Sequence, residues 1–205
     1  MAENIKHWYD GWFYDSFIAP NQDKLFGQIK RIMAPNKNVI DIGCGTGRFS
    51  FYVSDKANSV LGIDLSKKNI KWANQSLANN KNNKLSFQHK SVNEIKLAGK
   101  EHFDYAVMTY VIHEVDINER VNLLNEISEI ADKIIIGDYL ANRSTGFWSI
   151  LNEVVEFAAG KDHYRNYKSY SAENGIIGLA EKANLKIVKE IKNTPYTSHI
   201  AMLEK

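Results

Sequence analysis

The chain has 205 residues, a size suited to a single domain (1–205) with a substantial core. Its 44% hydrophobic and 24% charged content is ordinary for a soluble globular protein, and a net charge of +2 gives no field that would favour nucleic acid or an anionic membrane as partner. No apolar run is long enough to span a bilayer, MAENIKHWYDGW has no secretory-signal core, and the single cysteine, Cys44, excludes an internal disulfide, so the expected location is cytoplasmic.

Residues 1–19 form an aromatic-rich segment with Trp8, Tyr9, Trp12, Phe13 and Tyr14. It can serve as a lid over an active site or as packing on a sheet edge. Tyr9 and Tyr14 are its candidates for substrate contact. Residues 21–33 read as an amphipathic helix stopped by Pro35. A strand over 38–42 runs through the corner Gly43-Cys44-Gly45-Thr46-Gly47 into a short helix over 46–54. A second strand over 59–64 ends on Asp64, 17 residues after Gly47. That is the length needed to return through one helix and lay a parallel strand alongside.

A helix over 67–79 with Ser66 as its N-cap follows, then the polar turn NNKNNK, a strand over 84–89, a short helical or irregular piece and a strand over 103–109. A helix over 117–130 begins with Asp116 and Glu119 at capping-box spacing. A strand over 133–138 completes five parallel strands. Next come a helix near 145–158, the polar aromatic stretch GKDHYRNYKSYS, a helix over 172–183, and strands over 185–191 and 197–204. The last two strands are joined too briefly for a crossover, so they pair antiparallel. The expected fold is α/β, a seven-stranded, mostly parallel sheet with the last strand antiparallel and helices on both faces. Residues 139–171 would cap the substrate side.

A strand that ends in glycines and opens a helix makes a backbone cradle for a nucleotide-like ligand. A dinucleotide fingerprint would need glycines at 43, 45 and 48, but position 48 is Arg. Asp41 would repel a pyrophosphate and suits a cationic ligand. The D-x-G-x-G-x-G pattern from Asp41 to Gly47, with Asp64 downstream, resembles the class I S-adenosylmethionine-dependent methyltransferases, whose fold is Rossmann-like. The resemblance covers roughly residues 37–137 and the last 20. It implies S-adenosyl-L-methionine as cofactor, with Asp64 on the ribose and Asp41, Gly43, Cys44, Gly45 and Gly47 around the methionine part. Leu65 would lie on the adenine face, Ser91 and Val92 by the adenine amine, and Thr109 at the end of the fourth strand. Cys44 is a small residue that fits the cradle, with no partner for a nucleophilic role.

No substrate motif is present. The stretch Thr109-Tyr110-Val111-Ile112-His113-Glu114 lacks the Asn/Asp-Pro-Pro-aromatic signature of base-amino methyltransferases, which argues against a nucleic-acid substrate. Asp138 is the one acid at a strand end outside the cofactor elements, so no metal is expected. Candidate general bases are His113 and His163, with Glu114 read as a solvated or capping acid. His89, His102 and His199 read as surface or strand-end residues. Tyr110, Tyr167 and Arg165 are candidates for substrate contact. If Arg165 faces the pocket rather than Asp162, its fork would select a carboxylate or phosphate on the acceptor. The expected function is methyl transfer to oxygen or nitrogen of a small molecule by a monomer or homodimer. The alternative is a non-catalytic S-adenosylmethionine-binding sensor or partner subunit. Arg48 and Asp41 disfavour a nicotinamide-dependent oxidoreductase.

Overall fold

A computed structural model describes residues 19–99, 101–141, 160–193 and 197–205. In chain order, α1 (Ala19–Ile32) leads to β1 (Asn38–Ile42), α2 (Arg48–Val53), β2 (Ser59–Asp64), α3 (Lys67–Asn80), β3 (Leu85–His89), α4 (Val92–Ala98) and β4 (Phe103–Thr109). Then come α5 (Arg120–Ile130), β5 (Ala131–Tyr139), α6 (Lys161–Ala172), α7 (Gly175–Lys182), β6 (Lys186–Lys192) and β7 (Ser198–Glu204). The strands make one sheet in the order β3-β2-β1-β4-β5-β7-β6. The first five are parallel, and β7 runs antiparallel to both β5 and β6, as the sequence leads one to expect.

Strand periodicity sorts the core into two layers. Ile40, Ile42, Met108, Ile134 and Ile136 face the layer that holds Ile95 of α4, Leu124 and Ile127 of α5, and Leu179 of α7. Val39, Val107 and Ile135 face the other layer, with Leu25 and Ile29 of α1, Phe49 of α2 and Ile70 of α3. The same alternation fixes two buried acids. Asp41 falls on the α1–α3 face and Asp138, at the end of β5, on the α4–α5 face; both are fully buried.

Three elements differ from the sequence reading. The stretch 161–172 is itself a helix, separate from α7. Tyr164, Tyr167 and Tyr170 recur every three residues along it, and Tyr167 and Tyr170 are buried, so a narrow aromatic stripe carries an otherwise polar helix. Asp116 and Glu119 form no capping box. Asp116 Oδ1 accepts the Asn118 N–H at 3.0 Å, an Asx turn that delays the start of α5 to Arg120. A real capping box opens α4, between Ser91 and Glu94. The helix expected near 145–158 and the segment 1–18 lie outside the described residues. Among the described residues no helix is long and apolar enough to cross a membrane.

Candidate active site

The glycine corner is pinned to its neighbouring strand before it can hold anything else. Gly43 N and Cys44 N both donate to Ile63 O of β2, at 2.8 and 3.0 Å. Asp64, at the tip of β2, closes the corner from the other side. Its Oδ2 accepts the Gly45 N–H at 2.8 Å and its Oδ1 accepts the Ser66 N–H at 2.7 Å. The carboxylate thus holds the corner and the start of α3 in one arrangement while remaining on the wall of a cleft.

That cleft has a volume of about 650 Å³ and lies beyond the carboxyl ends of β1, β2 and β4. Gly43, Gly45, Asp64, Leu65, Thr109 and Tyr110 line it, so six of the expected contact residues share one wall. Gly45 has φ +56°, and a Cβ there would meet nothing within 4 Å. The backbone is therefore bare toward the cleft. Leu65 is 75% exposed, an apolar side chain left for a planar apolar group to cover. A bare glycine cradle, a half-satisfied carboxylate and an uncovered leucine fit an adenosine-bearing cofactor. Asp64 would take its ribose and Leu65 its adenine. Tyr110, at the end of β4, is held at φ +56°, a strained setting for a tyrosine in a cleft wall.

Other expected residues lie behind this wall. Asp41 is buried beneath the corner, where Ser50 Oγ donates to its Oδ2 at 2.5 Å. Desolvation pushes its pKa up to about 7, against the pull of Ser50, and nearby Asp64 adds to the rise. The Cys44 thiol is also pushed up, first by burial and then by Asp41 and Asp64, so it is a packed, unreactive residue of the cradle. Gly47 backs onto Phe87, 2.6 Å from where a Cβ would stand. Ser91 and Val92 are not among the residues that line the cleft. The Ser91 hydroxyl is spent on its cap, donating to Glu94 Oε2 at 2.9 Å and accepting from Glu94 N at 3.2 Å, and Val92 is in the core.

His113 is buried, on the loop after β4, and its Nδ1 lies 2.7 Å from Asp138 Oδ1. Asp138 Oδ1 also accepts the Tyr139 N–H at 2.7 Å, and its Oδ2 accepts the His113 N–H at 3.3 Å. Two backbone N–H groups mark the carboxylate as an acceptor, and His113 Nδ1 is placed to donate to it as well. Nε2 lies 3.9 Å from Oε1 of Glu114, a cleft-lining side chain. Tyr139, Tyr167 and Tyr170 surround the imidazole edge-on, with ring centroids 4.8, 6.4 and 6.4 Å away. Tyr167 thus belongs to the His113 surround rather than to the cleft wall.

Arg165 is exposed on α6 and does not line the cleft. His199 is buried near the start of β7, bonded through Nδ1 to Glu190 Oε1 at 2.9 Å, so of its two readings it is a strand-end residue and not a surface one. His102 is exposed beside Asp132 and His89 is exposed at the end of β3, as expected. Tyr9, Tyr14 and the side chains of His163 and Asp162 lie outside what is described. The sequence reading missed Asp138 as the partner of His113. It also missed Arg120, a fully buried cation that bonds Val115 O at 2.9 Å and Asn166 O at 2.7 Å. The spacing Arg120, Leu124, Ile127 and Ile130 puts the arginine on the buried face of α5, and that signal was available.

Residues 39–133 match the family model for a methyltransferase domain. A ubiquinone biosynthesis O-methyltransferase of Pelagibacter ubique (strain HTCC1062) is 29% identical over 187 residues, which cover 84% of this chain and 72% of that protein. The O-antigen chain terminator bifunctional methyltransferase/kinase WbdD of Escherichia coli is 24% identical over 130 residues, 61% of this chain. The match spans only 18% of WbdD's own length. Among solved structures, the magnesium protoporphyrin IX methyltransferase of Synechocystis PCC 6803 with bound SAH, S-adenosylhomocysteine, has the same fold. The TM-score is 0.70 at 18% identity, over 96% of this chain and 90% of that one. By the glycine corner, the cleft it borders, the sheet order and these matches, residues 39–133 are similar to methyltransferase domains, and the chain has the fold of S-adenosylmethionine-dependent methyltransferases.

Proposed function

We propose that the enzyme methylates a hydroxyl oxygen of a small acceptor, with His113 as general base and Asp138 as the residue that orients it. The observation that carries this reading is the 2.7 Å bond between His113 Nδ1 and Asp138 Oδ1. A proton on Nδ1, donated to Asp138, would leave Nε2 to accept the hydroxyl's proton. A hydroxyl arrives protonated and gains from such a base, whereas a neutral amine brings its own lone pair. The relative named as an O-methyltransferase supports oxygen as the acceptor atom.

Bound S-adenosylmethionine supplies an electrophilic methyl group on a sulfonium. Gly43, Gly45, Asp64, Leu65 and Thr109, which line the cleft, would hold and orient that cofactor. Tyr110 and the tyrosines around His113 give the acceptor an aromatic, water-poor setting. The acceptor reaches Nε2 by displacing the Glu114 side chain, which is 49% exposed. Methylation would break the carbon–sulfur bond and release S-adenosylhomocysteine, and His113 Nε2 would take the proton that the acceptor hydroxyl loses. Alignment alone can supply about 7–11 kcal/mol in favourable cases.

The test is the full chain with S-adenosylmethionine and a panel of phenols, catechols, aliphatic alcohols and amines, with S-adenosylhomocysteine read by mass spectrometry. Turnover with a hydroxyl acceptor that His113→Gln lowers at least tenfold, at unchanged S-adenosylhomocysteine affinity, is the expected result. Turnover with amines alone, indifferent to His113, would overturn the reading.

A further inference from the structure

Three successive carbonyls of the loop after β4 are each held by a side chain from outside the loop. Arg120 Nη2 donates to His113 O at 3.4 Å, Asn166 Nδ2 donates to Glu114 O at 2.7 Å, and Arg120 Nε donates to Val115 O at 2.9 Å. The same guanidinium also grips α6. Its Nη2 donates to Asn166 O at 2.7 Å and to Ser169 Oγ at 3.0 Å, and its Nη1 to Glu173 Oε2 at 3.4 Å. Burial lowers the arginine's pKa and Glu173 raises it.

The loop held in this way supplies Val111, Glu114 and Val115 to the cleft wall and His113 behind it. Helix α6 supplies Tyr167 and Tyr170 to the other side of His113. Arg120 therefore stands between the wall of the cofactor cleft and the helix that surrounds the base. Its planar fork bonds carbonyls on both, a span that a single ammonium cannot cover.

We propose that Arg120, together with Asn166, is a positioning residue that locks the 110–115 loop and α6 into one unit, so that a ligand in the cofactor cleft also orders α6 beside His113. This rests on the reading of the cleft as the cofactor site and of His113 as the base. A helix tied to the loop by a rigid, fully buried fork and by the Asn166 amide is coupled to the cleft wall.

Hydrogen–deuterium exchange of segments 110–116 and 161–172, with and without saturating S-adenosylhomocysteine, tests the coupling. Calorimetric titration measures the affinity in parallel. In the wild-type chain S-adenosylhomocysteine should slow exchange in both segments. In Arg120→Lys and Asn166→Ala the loop should still be protected, the increment in 161–172 should vanish, and affinity should stay within about threefold. A merely structural arginine would speed exchange of α6 in both states and leave the increment intact, and that result would overturn the proposal. So would a wild-type chain in which α6 does not respond. If Arg120→Lys fails to fold, Asn166→Ala decides, since it removes one arm without stranding a buried charge. A wild-type chain that does not bind S-adenosylhomocysteine would instead sink the cofactor reading itself.

Discussion

Ser50 donates its hydroxyl to Asp41 Oδ2 at 2.5 Å, and the other oxygen of that carboxyl, Oδ1, is buried with no hydrogen-bond partner. Burial raises the Asp41 pKa from 3.8 to about 7. A cationic ligand above the glycine corner favours the charged form, so binding should release a proton. S-adenosylmethionine affinity should rise between pH 5.5 and 8 by roughly tenfold. Asp41→Asn should weaken binding and flatten that slope. The folded chain binds this proton more tightly than the unfolded one, so folding stability should fall as pH rises from about 4 to about 7. Thermal melts of the ligand-free chain should lose that slope in Asp41→Asn. Parallel slopes in the two proteins would remove Asp41 from the linkage.

Asp64 carries two roles that can be separated. Replacing it with Ala strands the Gly45 and Ser66 N–H groups and also removes the expected acceptor of the ribose hydroxyls. A hydrogen bond to a charged group contributes about 1.5–3 kcal/mol, so affinity for S-adenosylhomocysteine should fall at least tenfold. Circular dichroism should show a folded protein of lower melting temperature. Asp64→Asn keeps one acceptor oxygen, so it should recover part of the melting temperature and little of the affinity. Full affinity in Asp64→Ala would take the residue out of the site.

Much of this is legible in the sequence because the sheet is covered on both faces. Buried strands then read as apolar runs, and the turn from β1 into α2 announces itself in glycines. Asp64 is found by counting residues from Gly47. The links between His113 and Asp138, 25 positions apart, and between Arg120 and Asn166, 46 apart, depend on tertiary packing, which no local pattern encodes. Helix α6 hid for a different reason: its polar residues mask a three-residue tyrosine stripe. Ser91 carries a local signal that points to another role. The spacing Ser91-Val92-Asn93-Glu94 is a capping-box signature, and the serine's hydroxyl is used there.

Two glycines of the corner should respond in opposite ways to alanine. At Gly45 a methyl group enters the cleft, where nothing lies within 4 Å. The left-handed backbone costs about 1 kcal/mol. Gly45→Ala should therefore fold with a small loss of melting temperature and a large loss of S-adenosylhomocysteine affinity. At Gly47 the methyl group would meet Phe87 at 2.6 Å and Phe51 at 3.2 Å, at a φ of +87°. Gly47→Ala should lose several degrees of melting temperature, and its affinity loss should follow from that. Equal effects of the two substitutions on melting temperature would mean that Gly45 is structural rather than a ligand contact.

The acceptor's charge is the remaining question, and two observations bear on it from different directions. Beyond the cofactor contacts the cleft wall carries Glu114, Asp116, Glu119 and Glu126, with no Lys or Arg among the described residues that line it. Arg165, the side chain that would favour a carboxylate or phosphate, is exposed on α6. An anionic acceptor would have to pass an acidic wall to reach His113. A neutral phenol should therefore be methylated with a lower KM than the same phenol bearing a carboxylate. Raising the salt concentration should narrow the gap by screening the wall. Arg165→Ala should leave the KM of the neutral phenol unchanged. If it raised the KM of the carboxylated phenol tenfold while S-adenosylhomocysteine affinity held, the arginine would be an acceptor contact and the acidic acceptor would be the better choice.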